Sequence, residues 1–302
     1  MRTIVLVLCC GVLFWIGVAA AETYTVRPDG TGDYPTIQTA IDAVVDGDVI
    51  ELTDGTFYGD GNRDLDYLGK AITVRSQSGI QLGSIIDCEG SEVEPHRGFW
   101  FHSGETAGTV LEGITIHNGW AAGPDPLDYS GGGVLCSEGA SPQLVDVVFL
   151  YNFATQGGAV MCIDESTLTL KGCMFVDNSA IIGGGMFCTG GSTPTLLNCT
   201  FIGNAAEAFG GGIYCRAYGF PTLESTIIAF SQSGEAIYSN YTPCASMVCC
   251  DVYGNAGGDW VGCIEELYGV DGNISEDPLF CDPGGGDWTL QACSPCAPFS
   301  PP

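Results

Sequence analysis

The side chains of this 302-residue chain that could do chemistry are few. His96, His102 and His117 could act as acid–base groups or metal ligands. His102 and His117 stand 15 residues apart, which is no metal-ligand spacing, so surface or structural roles are expected. Cys293 and Cys296 in "CSPC" have the spacing of half a zinc site, but no second pair completes it, and a disulfide is the expected use. Asp271, Asp277, Asp282 and Asp287 offer oxygen ligands, which makes calcium the one candidate cofactor, set against solvated turn carboxylates. Basic side chains beyond the first residues are Arg27, Arg63, Arg75, Arg97, Arg216, Lys70 and Lys171. Arg216, just after Cys215, is read as a surface residue near Glu224 or Asp251. No residue is assigned as catalytic, cofactor-binding or metal-ligating.

The elements that would position these groups follow from a repeat. "GGGVLC" (Gly131 to Cys136) returns as "GGAVMC" at Gly157, "GGGMFC" at Gly183 and "GGGIYC" at Gly210. Cys136, Cys162, Cys188 and Cys215 are therefore spaced by 26, 26 and 27 residues. A second column, Phe149, Phe175 and Phe201, keeps a 26-residue spacing, as do Cys173 and Cys199. Asn152, Asn178 and Asn204 form a third, with Asn118 of "ITIHN" as an earlier member. Between the columns, "TLTLKGCMF" and "TPTLLNCTF" alternate apolar and polar residues and are rich in strand formers. One such repeat cannot bury its own apolar face, whereas stacked repeats bury them together.

The expected fold is all-β: a single-stranded right-handed parallel β-helix (solenoid) with a short N-terminal capping helix. The glycine triplets are its corners, where φ can be positive. After each triplet one column (Val134, Val160, Met186, Ile213) should face the core and the next (Leu135, Met161, Phe187, Tyr214) should face out. The four cysteines that follow are expected as a buried thiol stack, with disulfides mainly between Cys244 and Cys296. The asparagines are expected to stack in a corner ladder, each amide donating to the coil below and accepting from the coil above, a structural role preferred to a binding stripe. Asp177 is expected at an outward position of the same repeat. In "YPTIQTAIDAVVDG" (Tyr34 to Gly47), Ile37, Ala40, Ile41 and Val44 share one helical face, as a cap on the first coil requires.

The expected organisation is a leader at 1–21 and one domain at 22–302. That domain has its cap at about 34–47, regular coils at about 131–230 and an irregular cysteine-rich end at 240–302. Met1-Arg2, the uncharged run Ile4 to Val18 and the small residues Ala19-Ala20-Ala21 read as a secretory signal. The run is short for a bilayer, and no later segment is apolar enough to span, so no integral membrane segment is expected after cleavage. The chain carries 16 cysteines, two of them in the leader, and exported chains use disulfides. A net charge of −28 repels nucleic acid, anionic lipid and, without a bridging cation, acidic polysaccharide.

"GGAV" with "FLYN", "FVDN" and "FIGN" resembles the GGA[ILV] and FxxN repeats of the polymorphic outer-membrane proteins. "DGTGDYPTIQTAIDAVVDGDVIELTDGTFYG" resembles the opening of pectin-lyase-like β-helix proteins, pectinesterases among them, and "DPLFCDPGGGDWTLQACSP" resembles the close of secreted bacterial β-helix repeat proteins. These resemblances imply the β-helix fold over nearly the whole chain after the leader. The later motifs of pectinesterases and the GHG and RIK motifs of polygalacturonases have no match here. None of the basic residues sits in a lyase motif. The function expected is therefore an exported, secreted or surface-associated, non-catalytic β-helix whose partner is a polysaccharide or a cell-surface component. The alternatives are a carbohydrate-active lyase or hydrolase with an unrecognised site, and a structural part of a larger surface assembly. No sequence feature sets an oligomeric state.

Overall fold

The computed structural model describes residues 20–80 and 82–297, so the expected leader falls almost wholly outside the described residues. The chain winds as a parallel β-helix. Nine strands, from Thr23–Val26 to Ser246–Val248, stack into one parallel sheet. Eight, from Gly55–Phe57 to Asp251–Tyr253, form a second sheet, and six, from Phe99–Phe101 to Ile237–Ser239, a third. A four-stranded sheet (Trp120–Ala121, Phe153–Gln156, Ser179–Ile182, Ala205–Phe209) makes a fourth wall over the middle coils. One complete coil runs Gln143–Val145, Val148–Leu150, Phe153–Gln156, Val160–Cys162.

Three columns of left-handed residues make the corners, and the glycine triplets supply one of them. Gly131, Gly157, Gly183 and Gly210 have φ of 64° to 68°. The second glycine of each triplet has a different reason. A Cβ on Gly184 would strike the carbonyl oxygen of Ala205 and lie 2.6 Å from that of Gly211 in the next coil. The third position is less strict: Ala159 occupies it, fully buried. The other two corners use positive φ at Gly113, Asp146, Gly172, Asn198, Ser225, Cys249 and Asp271, and at Asn118, Tyr151, Asp177, Gly203, Phe230 and Gly254. Short polar residues and glycine tolerate this conformation best.

The core is a set of columns in register. Phe149 pairs with Phe175 and Phe175 with Phe201. Their rings stack at 4.9 and 4.1 Å between centroids. Cys136, Cys162, Cys188 and Cys215 pair in turn, all buried and unbridged. Burial pushes the Cys188 thiol well above its usual value. Cys173 and Cys199 are also buried, and each points its thiol at a carbonyl of the preceding coil, Leu144 O and Leu170 O. Cys250 takes the same contact with Leu223 O.

The column expected to face out does so, yet it is not exposed. Leu135, Met161, Phe187 and Tyr214 are only 0, 1, 2 and 6 % accessible. They form an apolar layer outside the core, covered by Leu127, Ile163, Ile182, Trp100 and Tyr238.

Asn152, Asn178 and Asn204 stack in a ladder, in which Asn178 donates to one neighbouring coil and accepts from the other. Asn152 Nδ2 donates to Asn178 Oδ1 and Asn178 Nδ2 to Asn204 Oδ1, both at 3.0 Å, so each amide donates forward to the next coil. The second amide hydrogen reaches back, from Asn178 to Phe149 O and from Asn204 to Phe175 O. The same oxygens accept backbone N–H groups, Asn152 N on Asn178 and Asn178 N on Asn204. Asn118 is not a member. Leu150 pairs with His117, which sets Asn118 beside Tyr151 and places Gly119 opposite Asn152. Gly119 N accordingly donates to Asn152 Oδ1, and Asn118 Nδ2 turns to Asp87 Oδ1. Asn255 is a later member, reached across Ser231, whose N–H donates to Asn255 Oδ1.

Both ends are closed. The helix Ile37–Ala43 starts at Thr36, whose side chain forms a reciprocal capping box with Thr39. Ile37, Ala40 and Ile41 enter the core against the first two strands. Lys70 Nζ donates to the carbonyls of Ile41, Asp42 and Val44, satisfying the helix C-terminus. At the other end the 3-10 turn Gly262–Leu267 buries Ile264, and Cys263 is bonded to Cys244. An antiparallel hairpin, Phe280–Asp282 with Asp287–Leu290, then folds back on the outer face of the eight-stranded sheet.

Candidate functional site

Each of the three histidines meets an aspartate of the preceding coil. His96 Nδ1 lies 2.6 Å from Asp64 Oδ2, His102 Nε2 3.3 Å from Asp66 Oδ2, and His117 Nδ1 3.6 Å from Asp87 Oδ2. They do not converge. His102 stacks on Trp100, His96 opens into a small cavity, and His117 meets Tyr151 edge to face.

The remaining chemistry-bearing groups are used locally. Arg63 bridges Asp60 and Glu89, and Arg75 pairs with Glu51. Arg97 Nη2 donates to Leu127 O and Asp128 O, and burial lowers its pKa. Lys171 reaches Gln143. Arg216 is exposed and makes no ion pair among the described residues. Asp277, Asp282 and Asp287 accept backbone N–H groups of Leu279, Gly285 and Thr289, each within its own turn, and Asp271 occupies a left-handed corner. Among the described residues no three His, Cys, Asp or Glu side chains are grouped as metal ligands. Cys293 and Cys296, expected in a disulfide, are both unbridged: Cys296 Sγ donates to Asp251 Oδ2 and Cys293 is exposed, and of the C-terminal cysteines only Cys244 and Cys263 are bonded among the described residues.

A different set of residues does converge. The register of the four-stranded sheet places Trp120, Phe153, Ser179 and Ala205 in one outward column, each just after the ladder position. Trp120 and Phe153 stack at 4.1 Å between centroids, and both remain partly exposed. Tyr151, at the left-handed corner before the ladder, is 55 % exposed. With Asn118, Asp177 and Ser179 these rings line a cavity of about 300 Å³. Burial raises the Asp177 carboxyl, opposed by the hydrogen bond from Gln232 Nε2 at 3.1 Å. Trp120 also borders a second cavity, of about 220 Å³, with Asp64, His96, Arg97 and Asp128. Aromatic faces with a few placed polar groups are what a ring-shaped, hydroxyl-rich ligand requires. Asp177 is therefore neither freely outward nor conformationally indifferent.

The sequence does not single out Trp120, Tyr151, Phe153 and Ser179, and it points to Asn118 and Asp177 only as a ladder member and an outward position. Their signal was present: "YNF" at 151–153 carries aromatics on both sides of the ladder asparagine, where later repeats have "DNS" and "GNA". Only the coil register shows that Trp120 falls in the same column.

A larger groove, of about 650 Å³, lies under the C-terminal hairpin between Met174, Thr200, Trp288 and Leu290. It is mostly apolar and continues the packing of the hairpin on the sheet.

The family model described as "Right handed beta helix region" matches residues 50–228 and 151–265, and the chain belongs to that family. The fold is the right-handed parallel β-helix of the pectin-lyase-like kind. Comparison with curated proteins finds no match in sequence. Among solved structures, pectate lyase Pel9A is similar, with a TM-score of 0.50 and 14 % identity over 79 % of this chain. The match spans 65 % of the lyase, and at that identity it shows the fold alone.

Proposed function

We propose that this chain is an exported, surface-associated β-helix protein that binds a glycan on the Trp120 face and does not cleave it. The carrying observation is the partly exposed Trp120–Phe153 stack, with Tyr151 beside it and Asn118, Asp177 and Ser179 within one cavity. Sugar rings present C–H faces that pack on aromatic rings and hydroxyl edges that bond to amide and carboxylate groups. Arg97, the guanidinium lining the second cavity, already serves two carbonyls. His96, Asp64, Asp128 and Asp177 line the same cavities and are the groups that turnover would have to use as acid or base. The fold shared with a pectate lyase gives the competing reading, a carbohydrate-active enzyme.

The test is a panel of soluble polysaccharides scored for binding, for new reducing ends and for unsaturated uronate absorbance. Binding without products, lost in Trp120→Ala, is expected. Products that depend on the protein would establish the enzyme reading, and absence of binding to every glycan would remove the carbohydrate reading.

A further inference from the structure

Two cavities meet at Trp120, which lines both. The first, of about 300 Å³, takes Asn118 and Gly119 before it and Tyr151, Phe153 and Ser179 of later coils. The second, of about 220 Å³, takes Ala121 and Ala122 after it, with Asp64, His96, Arg97 and Asp128. The second is built where the repeat is broken. The insertion "GPDPLDYS" before Gly131 supplies Asp128, and Arg97 Nη2 pins it through the carbonyls of Leu127 and Asp128, at 2.7 and 3.1 Å. His96 is also held. Its Nδ1 lies 2.6 Å from Asp64 Oδ2, and Asp64 Oδ1 accepts the backbone N–H of Arg97 at 2.9 Å. Nδ1 is thereby engaged, and Nε2 has no partner among the described residues. A fixed imidazole with one free nitrogen at a cavity wall is a hydrogen-bonding group for a hydroxyl. Two carboxylates there stand against one guanidinium already bonded to carbonyls, and the whole molecule carries −28, so an anionic sugar is disfavoured.

We infer that the glycan crosses Trp120 and occupies both cavities: an uncharged oligosaccharide with sugar residues on either side of the indole, one of them bonded through a hydroxyl to His96 Nε2. Because a single side chain separates the cavities, sugars seated in them are close enough to belong to one chain. This inference rests on the glycan-binding reading above and adds to it a second subsite, a length requirement and a contact residue.

The test uses dimers, tetramers and hexamers of β-1,4-linked glucose, mannose and xylose, with the galacturonate hexamer as the acidic comparator. They are titrated calorimetrically into the full chain and into Trp120→Ala and His96→Ala. The His96 ring is partly exposed, and the carbonyl through which His96 holds Trp120 N–H belongs to the backbone, so the second variant keeps the fold. At least one neutral series is expected to bind, with affinity rising about tenfold from dimer to tetramer, the size of one added hydrogen-bonded contact. The galacturonate hexamer should bind more weakly than the neutral one. His96→Ala should remove most of the rise with length, and Trp120→Ala should weaken every length. Affinity independent of length, or a rise that His96→Ala leaves intact, would overturn the second subsite and leave glycan binding standing. A galacturonate hexamer that binds as tightly as the neutral one would overturn the uncharged class. Failure of these oligomers while another polysaccharide binds would overturn the inference alone. Failure of every glycan would overturn it together with the reading on which it rests.

Discussion

Asn178 sits in the middle of the ladder, with a partner on each side. Its oxygen accepts from Asn152 N and Nδ2, and its amide serves Asn204 Oδ1 and Phe149 O. Asn178→Ala strands several of these fully buried groups at once and should cost about 3 kcal/mol, since each unpaired group costs roughly 1–3. Glu207→Ala, on an exposed position of the four-stranded wall, should stay within about 0.5 kcal/mol. Chemical unfolding of the two variants side by side checks this, and equal stability would mean that the ladder does not hold the coils. A second residue-level prediction concerns charge. Asp146 is exposed at its corner, yet partial desolvation raises its carboxyl, and no ion pair among the described residues compensates it. A carboxyl with a folded pKa above its unfolded value binds its proton more readily when folded, so its ionisation opposes folding at higher pH. That opposition disappears once pH falls below the ordinary carboxylate range. Asp146→Asn, compatible with the corner, should raise Tm only slightly at about pH 7, because solvent screens an exposed charge, and leave it unchanged at about pH 3. A gain that persists in acid would refute this cause.

At the scale of the element, the glycine triplet separates two reasons for glycine. Gly139 has φ of 74° with nothing near its absent side chain, so Gly139→Ala meets only backbone strain, about 1–2 kcal/mol. Gly184→Ala also drives a methyl against carbonyls of the neighbouring coil and should cost clearly more, or prevent folding. Relative unfolding midpoints of the two variants decide it; similar values would mean that adjacent coils can separate at the corner. The triplet corner was legible because glycine recurs at Gly131, Gly157, Gly183 and Gly210, whereas the other two corners also use Asp146, Ser225, Tyr151 and Phe230. Which glycine answers to which reason was not, because close approach between coils is a tertiary fact. The same limit explains Asn118. "ITIHN" matches the repeat by eye, but the coil reaches the ladder position one residue later, at Gly119. It also explains the buried Leu135–Tyr214 column. Alternation alone gives a residue's face, and the four-stranded wall, whose Ile182 helps cover that face, has no counterpart in a two-residue period.

At the scale of the molecule, the periodic columns account for the coil, and the departures from periodicity account for the candidate site. Phe175, Cys188 and Asn178 repeat because stacking demands it. Trp120, Tyr151 and Phe153 do not repeat, and they gather on one wall. The central claim is that glycan meets this wall and leaves intact. Chemical-shift mapping on the isotopically labelled protein, titrated with a soluble oligosaccharide of the tightest-binding glycan of the panel, tests it most directly. The account predicts perturbations at the backbone amides of Asn118, Gly119, Tyr151, Phe153 and Ser179 and at the Trp120 indole N–H, with the oligosaccharide unchanged afterwards. Perturbations confined to Met174, Thr200 and Trp288 under the C-terminal hairpin, or cleavage of the oligosaccharide during the titration, would contradict it.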